Sequence, residues 1–218
     1  IPHFHNPDAA KKMKRYKKDQ HFLIDEFVLD RIIEYGKLSV SDTVLEIGAG
    51  YGNLTERLAK KAGMVIAIEA DPELAASLYG LKNVEVIVGD ALKIDLPKFN
   101  KVISNLPYSI SSPVTFKLLK YRFDLGILMY QHEFAKRMVA LPGGEDYSRL
   151  SIAVQYHADV EILETVPRTA FNPQPSVRSS IIRLTPRPPP YEVKDEGFFM
   201  MFIKAVFSQR RKKLRSAI

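Results

Sequence analysis

The chain contains no cysteine, and that absence removes disulfides, thiolate nucleophiles and cysteine-ligated zinc together. Histidine is scarce and scattered, at His3, His5, His21, His132 and His157. No two share the helical spacing of a metal-binding pair, so a protein without a metal is expected. No apolar run approaches the roughly 20 residues that a membrane-spanning helix requires, and the opening IPHFHNPDAAKK lacks the apolar core of a signal peptide. A cytoplasmic protein with no membrane partner is the expectation. What is present is a chain of 218 residues with 46% hydrophobic content, enough for one substantial core and a smaller appended unit.

Charge is unevenly placed. The net +7 is concentrated at the two ends: residues 1–20 hold Lys11, Lys12, Lys14, Arg15, Lys17 and Lys18, and residues 204–218 hold Lys204, Arg210, Arg211, Lys212, Lys213 and Arg215. A polyanion such as RNA would be gripped by such ends through counterion release, although basic termini can also do no more than keep a chain soluble.

From Thr43 the pattern is strand, glycine loop, helix: TVLEIGAG, then YG, then NLTERLAKKAG. Strands MVIAIEAD (64–71), VEVIVGD (84–90), KVISN (101–105) and LGILMYQ (125–131) follow, with helix-like PELAASLYGL and VTFKLLKY between them. This alternation predicts a doubly wound α/β fold with a mostly parallel sheet. A helix over RLSIAVQYHADV leads to EILETVP and SSIIRLTP, read as an antiparallel hairpin at one sheet edge. The expected organisation is a basic arm over 1–20, a main domain over 21–186, and over 187–218 a proline-rich linker with the start of an incomplete C-terminal helical unit.

The chemistry gathers at strand ends. In E-I-G-A-G-Y-G, Gly48 and Gly50 permit a tight turn and close approach of a ligand, and Gly52 lets the next helix begin close to the sheet. The next strand ends in Glu69, suited to a ribose diol, and the one after in Asp90, beside Ala91, suited to an adenine amine or else to capping a turn. This set suits S-adenosylmethionine better than a dinucleotide. The fourth strand then delivers N-L-P-Y. The Asn105 side-chain oxygen and the Leu106 carbonyl could accept the two hydrogens of an exocyclic adenine amine while Pro107 fixes the backbone and Tyr108 offers a stacking face. A turn with a buried tyrosine is the plainer alternative.

Together these motifs resemble the ribosomal RNA adenine N6,N6-dimethyltransferases of small-subunit maturation, in an archaeal-like form. The resemblance is carried by Q-H-F-L at Gln20 to Leu23, V-L-E-I-G-A-G at 44–50, Glu69, G-D-A at 89–91, N-L-P-Y at 105–108, F-N-P-Q-P-S-V at 171–177 and F-S-Q-R-R-K-K-L-R at 207–215. It implies a Rossmann-like methyltransferase sheet, S-adenosylmethionine as cofactor, and dimethylation of two adjacent adenines near the 3′ end of small-subunit ribosomal RNA, on a pre-small-subunit particle. It further implies cofactor contacts from Gln20, His21, Leu23, Gly48, Gly50, Glu69, Asp90, Ala91 and Asn105, and Phe171 as the second face of an aromatic sandwich with Tyr108. The basic residues of both ends become expected RNA contacts, and a monomer is the simplest expectation. Methylation of a large-subunit adenine, and an assembly or transcription factor that uses the fold for binding, stand as alternatives. The family commonly has G-Q-N-F-L where this chain has Asp19 and His21.

Overall fold

The structure is a computed structural model that describes residues 20–208. The basic residues Lys11 to Lys18 and Arg210 to Arg215, expected to contact RNA, lie outside the described residues, as does Asp19.

In chain order the elements are β1 (Phe22–Leu23), α1 (Glu26–Gly36), β2 (Thr43–Ile47), α2 (Thr55–Ala59), β3 (Met64–Glu69), α3 (Pro72–Ala75), β4 (Val84–Val88), β5 (Lys101–Asn105), α4 (Ser111–Leu118), β6 (Leu125–Gln131), α5 (His132–Val139), α6 (Arg149–His157), β7 (Ala158–Val166), β8 (Phe171–Asn172), β9 (Ser179–Pro186) and α7 (Glu196–Ser208). Seven strands form one sheet in the order β4-β3-β2-β5-β6-β9-β7. The five strands from β4 to β6 are parallel, and β9 runs antiparallel between β6 and β7. The expected edge hairpin is therefore present.

Why the sheet is covered on both faces follows from its strands. Along β2, Val44 belongs to one apolar cluster with Val28, Leu29 and Ile32 of α1, while Leu45 and Ile47 belong to another that takes in Val114 of α4 and Met138 of α5. Near-continuous apolar strands buried on both sides are what parallel sheets require. Helix α1 is set by Asp25, whose carboxylate accepts from Val28 N at 3.1 Å, and it stops at Lys37 in the left-handed region.

The sequence pattern misplaces one boundary. The helix expected through Val160 ends at His157, because Ala158 and Val160 pair with Pro186 and Leu184 of β9. A short antiparallel pair, β1 with β8, joins segments far apart in the chain, with Phe22 opposite Asn172 and Leu23 opposite Phe171. Residues 187–195 form neither helix nor strand, and α7 then lies against α6, with Tyr156, Tyr191 and Phe199 forming a cluster of rings.

At the N-terminal edge of the sheet, away from the strand ends singled out above, Lys101 Nζ reaches Asp42 Oδ2 at 3.0 Å and the carbonyls of Gly36 and Lys37 at 3.1 and 2.7 Å. Asn100 links Asp42 Oδ1 to Thr43 N, at 2.8 Å each. Burial alone would raise the pKa of Asp42, but the hydrogen bonds from Asn100 and Lys101 outweigh it and hold the group down at about 2. Removing one partner of a buried pair leaves the other uncompensated, so Asp42→Ala should destabilise the fold by roughly 2–4 kcal/mol at neutral pH. Because the folded-state value is depressed, the benefit is present above the ordinary carboxylate range and is lost as pH falls through about 2. Denaturation curves should show the gap between wild type and variant closing over that acid range.

Candidate active site

Where β2 and β5 meet, their ladder runs through Leu45 and Val102 and then parts. Beyond that point the Ser104 hydroxyl takes over, accepting from Ile47 N at 3.2 Å and donating to Ile47 O at 2.5 Å. Chain order reverses between these two strands, and in open α/β sheets such a switch point opens a crevice at the carboxyl ends of the strands. A cavity of about 340 Å³ lies there, a size suited to a small-molecule site.

The glycine turn after β2 forms the cavity's floor. Gly48 and Gly50 have φ of +76° and +59°. A Cβ on Gly48 would stand 2.9 Å from the ring of Pro107, and one on Gly50 would stand 3.0 Å from the ring of Phe22. The glycines thus allow N-L-P-Y and Q-H-F-L to close on the turn from two sides. Glu69 braces the same turn, with Oε2 accepting from Gly50 N and Oε1 from Asp71 N, both at 2.9 Å. Each oxygen keeps a second lone pair for a ligand. Asp90 lines the cavity while its Oδ1 accepts from Leu92 N at 2.9 Å, so it caps the following turn as well. Gln20, His21, Leu23 and Ala91 also line the cavity.

Asn105 sits at the end of β5 and donates from Nδ2 to the His21 carbonyl at 3.2 Å. That bond assigns the amide and leaves its oxygen available to a ligand in the cavity. Leu106, Pro107 and Tyr108 line the same wall. Tyr108 is half-buried, its hydroxyl 2.6 Å from Ser179 Oγ and its ring centroid 5.5 Å from that of His21. Burial raises the pKa of its phenol and the Ser179 contact offsets part of that rise. Phe171 is different. It is 2% exposed, packs in the core with Leu23 and Ile181, and does not line the cavity. Its strand β8 pairs with β1, Leu23 standing opposite Phe171. Among the described residues no cluster of His, Cys, Asp or Glu could hold a metal ion, and no helix is long and apolar enough to cross a membrane.

Glu46 was not anticipated as a site residue, although one carboxylate inside the otherwise apolar strand TVLEI was a visible signal. It lines the cavity at 2% exposure, and Glu46 Oε2 and Thr55 Oγ1 are both buried without a hydrogen-bond partner. Burial, reinforced by the nearby Glu69, pushes its pKa up to about 8, and the adjacent Thr55 counters only part of this. The folded state then keeps a proton that the unfolded chain releases, so stability falls as pH rises from about 4.5 to about 8. Glu46→Gln should remove that slope and gain on wild type toward alkaline pH, by a few kcal/mol at the upper end of the window. Thermal unfolding across the range checks this, and parallel pH profiles would show the carboxyl to be ionised.

The profile of the family described as ribosomal RNA adenine dimethylase matches residues 10–218. A probable ribosomal RNA small subunit methyltransferase A from Methanosarcina acetivorans is 61% identical over 204 residues, covering 92% of this chain and 76% of that protein. The protein of the same description from Halobacterium salinarum is 52% identical over 207 residues, covering 92% and 73%. Among solved structures, a dimethyladenosine transferase from Plasmodium falciparum superposes with a TM-score of 0.79 at 40% identity, covering 90% of this chain and 74% of that one. The 23S rRNA methyltransferase ErmE gives 0.73 at 31% identity, covering 90% and 82%. With the glycine turn, its bracing carboxylate and N-L-P-Y gathered around one cavity, and the match running through both halves of the sheet, the chain belongs to the ribosomal RNA adenine dimethylase family.

Proposed function

We propose that the protein is an S-adenosylmethionine-dependent methyltransferase that converts two adjacent adenines near the 3′ end of small-subunit ribosomal RNA to N6,N6-dimethyladenine. It acts as a monomer in the cytoplasm, on a particle of the assembling small subunit. The observation that carries this reading is the packing of Pro107 on Gly48, which sets an amine-gripping motif directly beside a cofactor-sized turn. Relatives named as small-subunit enzymes at 61% identity, against 31% for the large-subunit enzyme ErmE, support the small-subunit target over the large-subunit alternative.

The residues fit the cofactor. Glu69, held by two backbone N–H groups, presents its remaining lone pairs to a ribose diol, and Asp90 stands at the next strand end for an adenine amine. The close-packed turn at Gly48 and Gly50 leaves backbone rather than side chain facing the ligand. Gln20, His21, Leu23 and Ala91 complete the enclosure. When bound, the cofactor supplies a methyl group on a sulfonium centre.

The chain's own part is to make a poor nucleophile usable. The lone pair of an adenine N6 is delocalised into the ring, so Asn105 Oδ1 and the Leu106 carbonyl accept its two hydrogens and favour a pyramidal nitrogen aimed at the methyl group. Pro107 fixes the direction of that carbonyl. Once methylated, the nitrogen would be acidic and would shed a proton without a strong base from the chain. One hydrogen remains for the second transfer. Tyr108 offers its face to the extruded base, with stacking typically worth about 1–3 kcal/mol. We assign Phe171 a share in this site through β8, which holds the segment from His21 to Leu23 in place.

Incubation with unmethylated small subunits and labelled S-adenosylmethionine, followed by mass spectrometry of the RNA, tests the whole reading. Dimethyladenine near the 3′ end is expected, and cofactor binding without transfer would favour a binding role. Two variants separate binding from chemistry. Asn105→Ala should hold cofactor affinity within a few-fold while transfer falls by roughly 100-fold or more, and sustained turnover would remove its amine-gripping role. Glu69→Ala should weaken affinity in calorimetry, and an unchanged value would refute the ribose contact.

A further inference from the structure

We propose that Ser179 is a positioning residue for methyl transfer: its hydroxyl fixes the ring of Tyr108 and thereby the angle at which a target base meets the methyl donor. The inference rests on Tyr108 serving as the base platform described above.

Ser179 opens β9, where it pairs with Gln131 of β6 and Val166 of β7, and it is fully buried. Tyr108 begins a 3-10 turn directly after the loop that leaves β5. In the sheet order β6 lies between β5 and β9, so the tyrosine side chain must reach across the end of β6 to bring its hydroxyl within 2.6 Å of Ser179 Oγ. A buried hydroxyl is costly unless it is partnered, and the phenol supplies that partner. The next residue does not duplicate the role: Ser180 Oγ pairs instead with His132 Nδ1 at 2.8 Å. A tyrosine has two side-chain torsions, and tethering its far end restricts both. The His21 ring, tilted by 35° to it, bounds the near side. The platform is thus held from β9, on the far side of β6 from the strand that carries it, and a misplacement of even about 1 Å at a reacting centre is expensive in rate.

The test is a double-mutant cycle in the full chain, with Ser179→Ala, Tyr108→Phe, both together, and Ser179→Thr. Single-turnover transfer to small subunits and cofactor affinity would be measured alongside the fluorescence of an RNA carrying 2-aminopurine at the target position, which is quenched on stacking. Each single change should slow transfer by roughly five- to tenfold, since both delete one hydrogen bond. The double variant should be no slower than either, cofactor affinity should be unchanged, and Ser179→Thr should restore the rate. Additive losses, or full activity in Ser179→Ala, would overturn the proposal. Should Ser179→Ala fail to fold, Tyr108→Phe decides, because it removes the same bond from the exposed side, and a wild-type rate there refutes the role. If the wild-type protein transfers nothing, the proposed reaction is at fault. The quenching still judges Ser179, since equal quenching in all variants would overturn its role.

Discussion

The parting of β2 from β5 is the constraint on which the site depends. Two neighbouring strands at the centre of a sheet cannot separate without orphaning backbone groups, and an orphaned buried amide or carbonyl costs as much as a lost hydrogen bond. Ser104 resolves the conflict by offering one hydroxyl to both the N–H and the carbonyl of Ile47. The ladder can then stop after Leu45 and Val102 while the strands stay fixed. Two walls of the cavity are hung from those two strand ends, the glycine turn from one and Asn105 to Tyr108 from the other, while Glu69, Asp90 and the segment from Gln20 to Leu23 close it from other elements.

Carboxylates along this sheet are distinguished by environment rather than by type. Asp42, at the far edge, meets a lysine and an asparagine and stays charged well into acid. Glu46, on the next strand but buried beside a second acid, keeps its proton near neutrality. Glu69 accepts from two backbone N–H groups of the turn it braces. A neutral Glu46 avoids burying its own negative charge beside a second carboxyl group, a consequence of its burial.

The parallel strands and the glycine turn were legible in the sequence because each has a local signature: apolar runs of strand length, then Gly48 and Gly50 where a turn is needed. That Glu69, Asp90 and Asn105 gather at one cavity was legible for the same reason, as polar residues at the ends of apolar runs. What escaped was non-local. The pairing of β1 with β8 involves two residues on each side and has no periodicity to find. The change from helix to strand at Ala158 is decided by β9, not by the helical pattern, which continues past it. The burial of Phe171 follows from that same short pairing, so an aromatic in a recognisable motif could not be placed on the cavity wall or beneath it from sequence. Ser179 and Tyr108 are far apart in the chain, and nothing local links them.

The segment from Gln20 to Leu23 ties the two halves of the site together. Leu23 is anchored opposite Phe171, the Leu23 carbonyl accepts from Asn53 at 2.9 Å, and His21 Nδ1 lies 2.9 Å from the Pro173 carbonyl. A carbonyl can only accept, so that ring nitrogen carries the proton and the tautomer is set by the loop after β8. The substitution of histidine for the family's usual asparagine at position 21 therefore changes a side-chain contact to that loop. It does not touch the contact that orients the amine-accepting group, because Asn105 donates to the backbone carbonyl of residue 21, which every side chain leaves in place. A departure within a recognisable motif is compatible with the proposed chemistry when the function at that position is carried by the main chain.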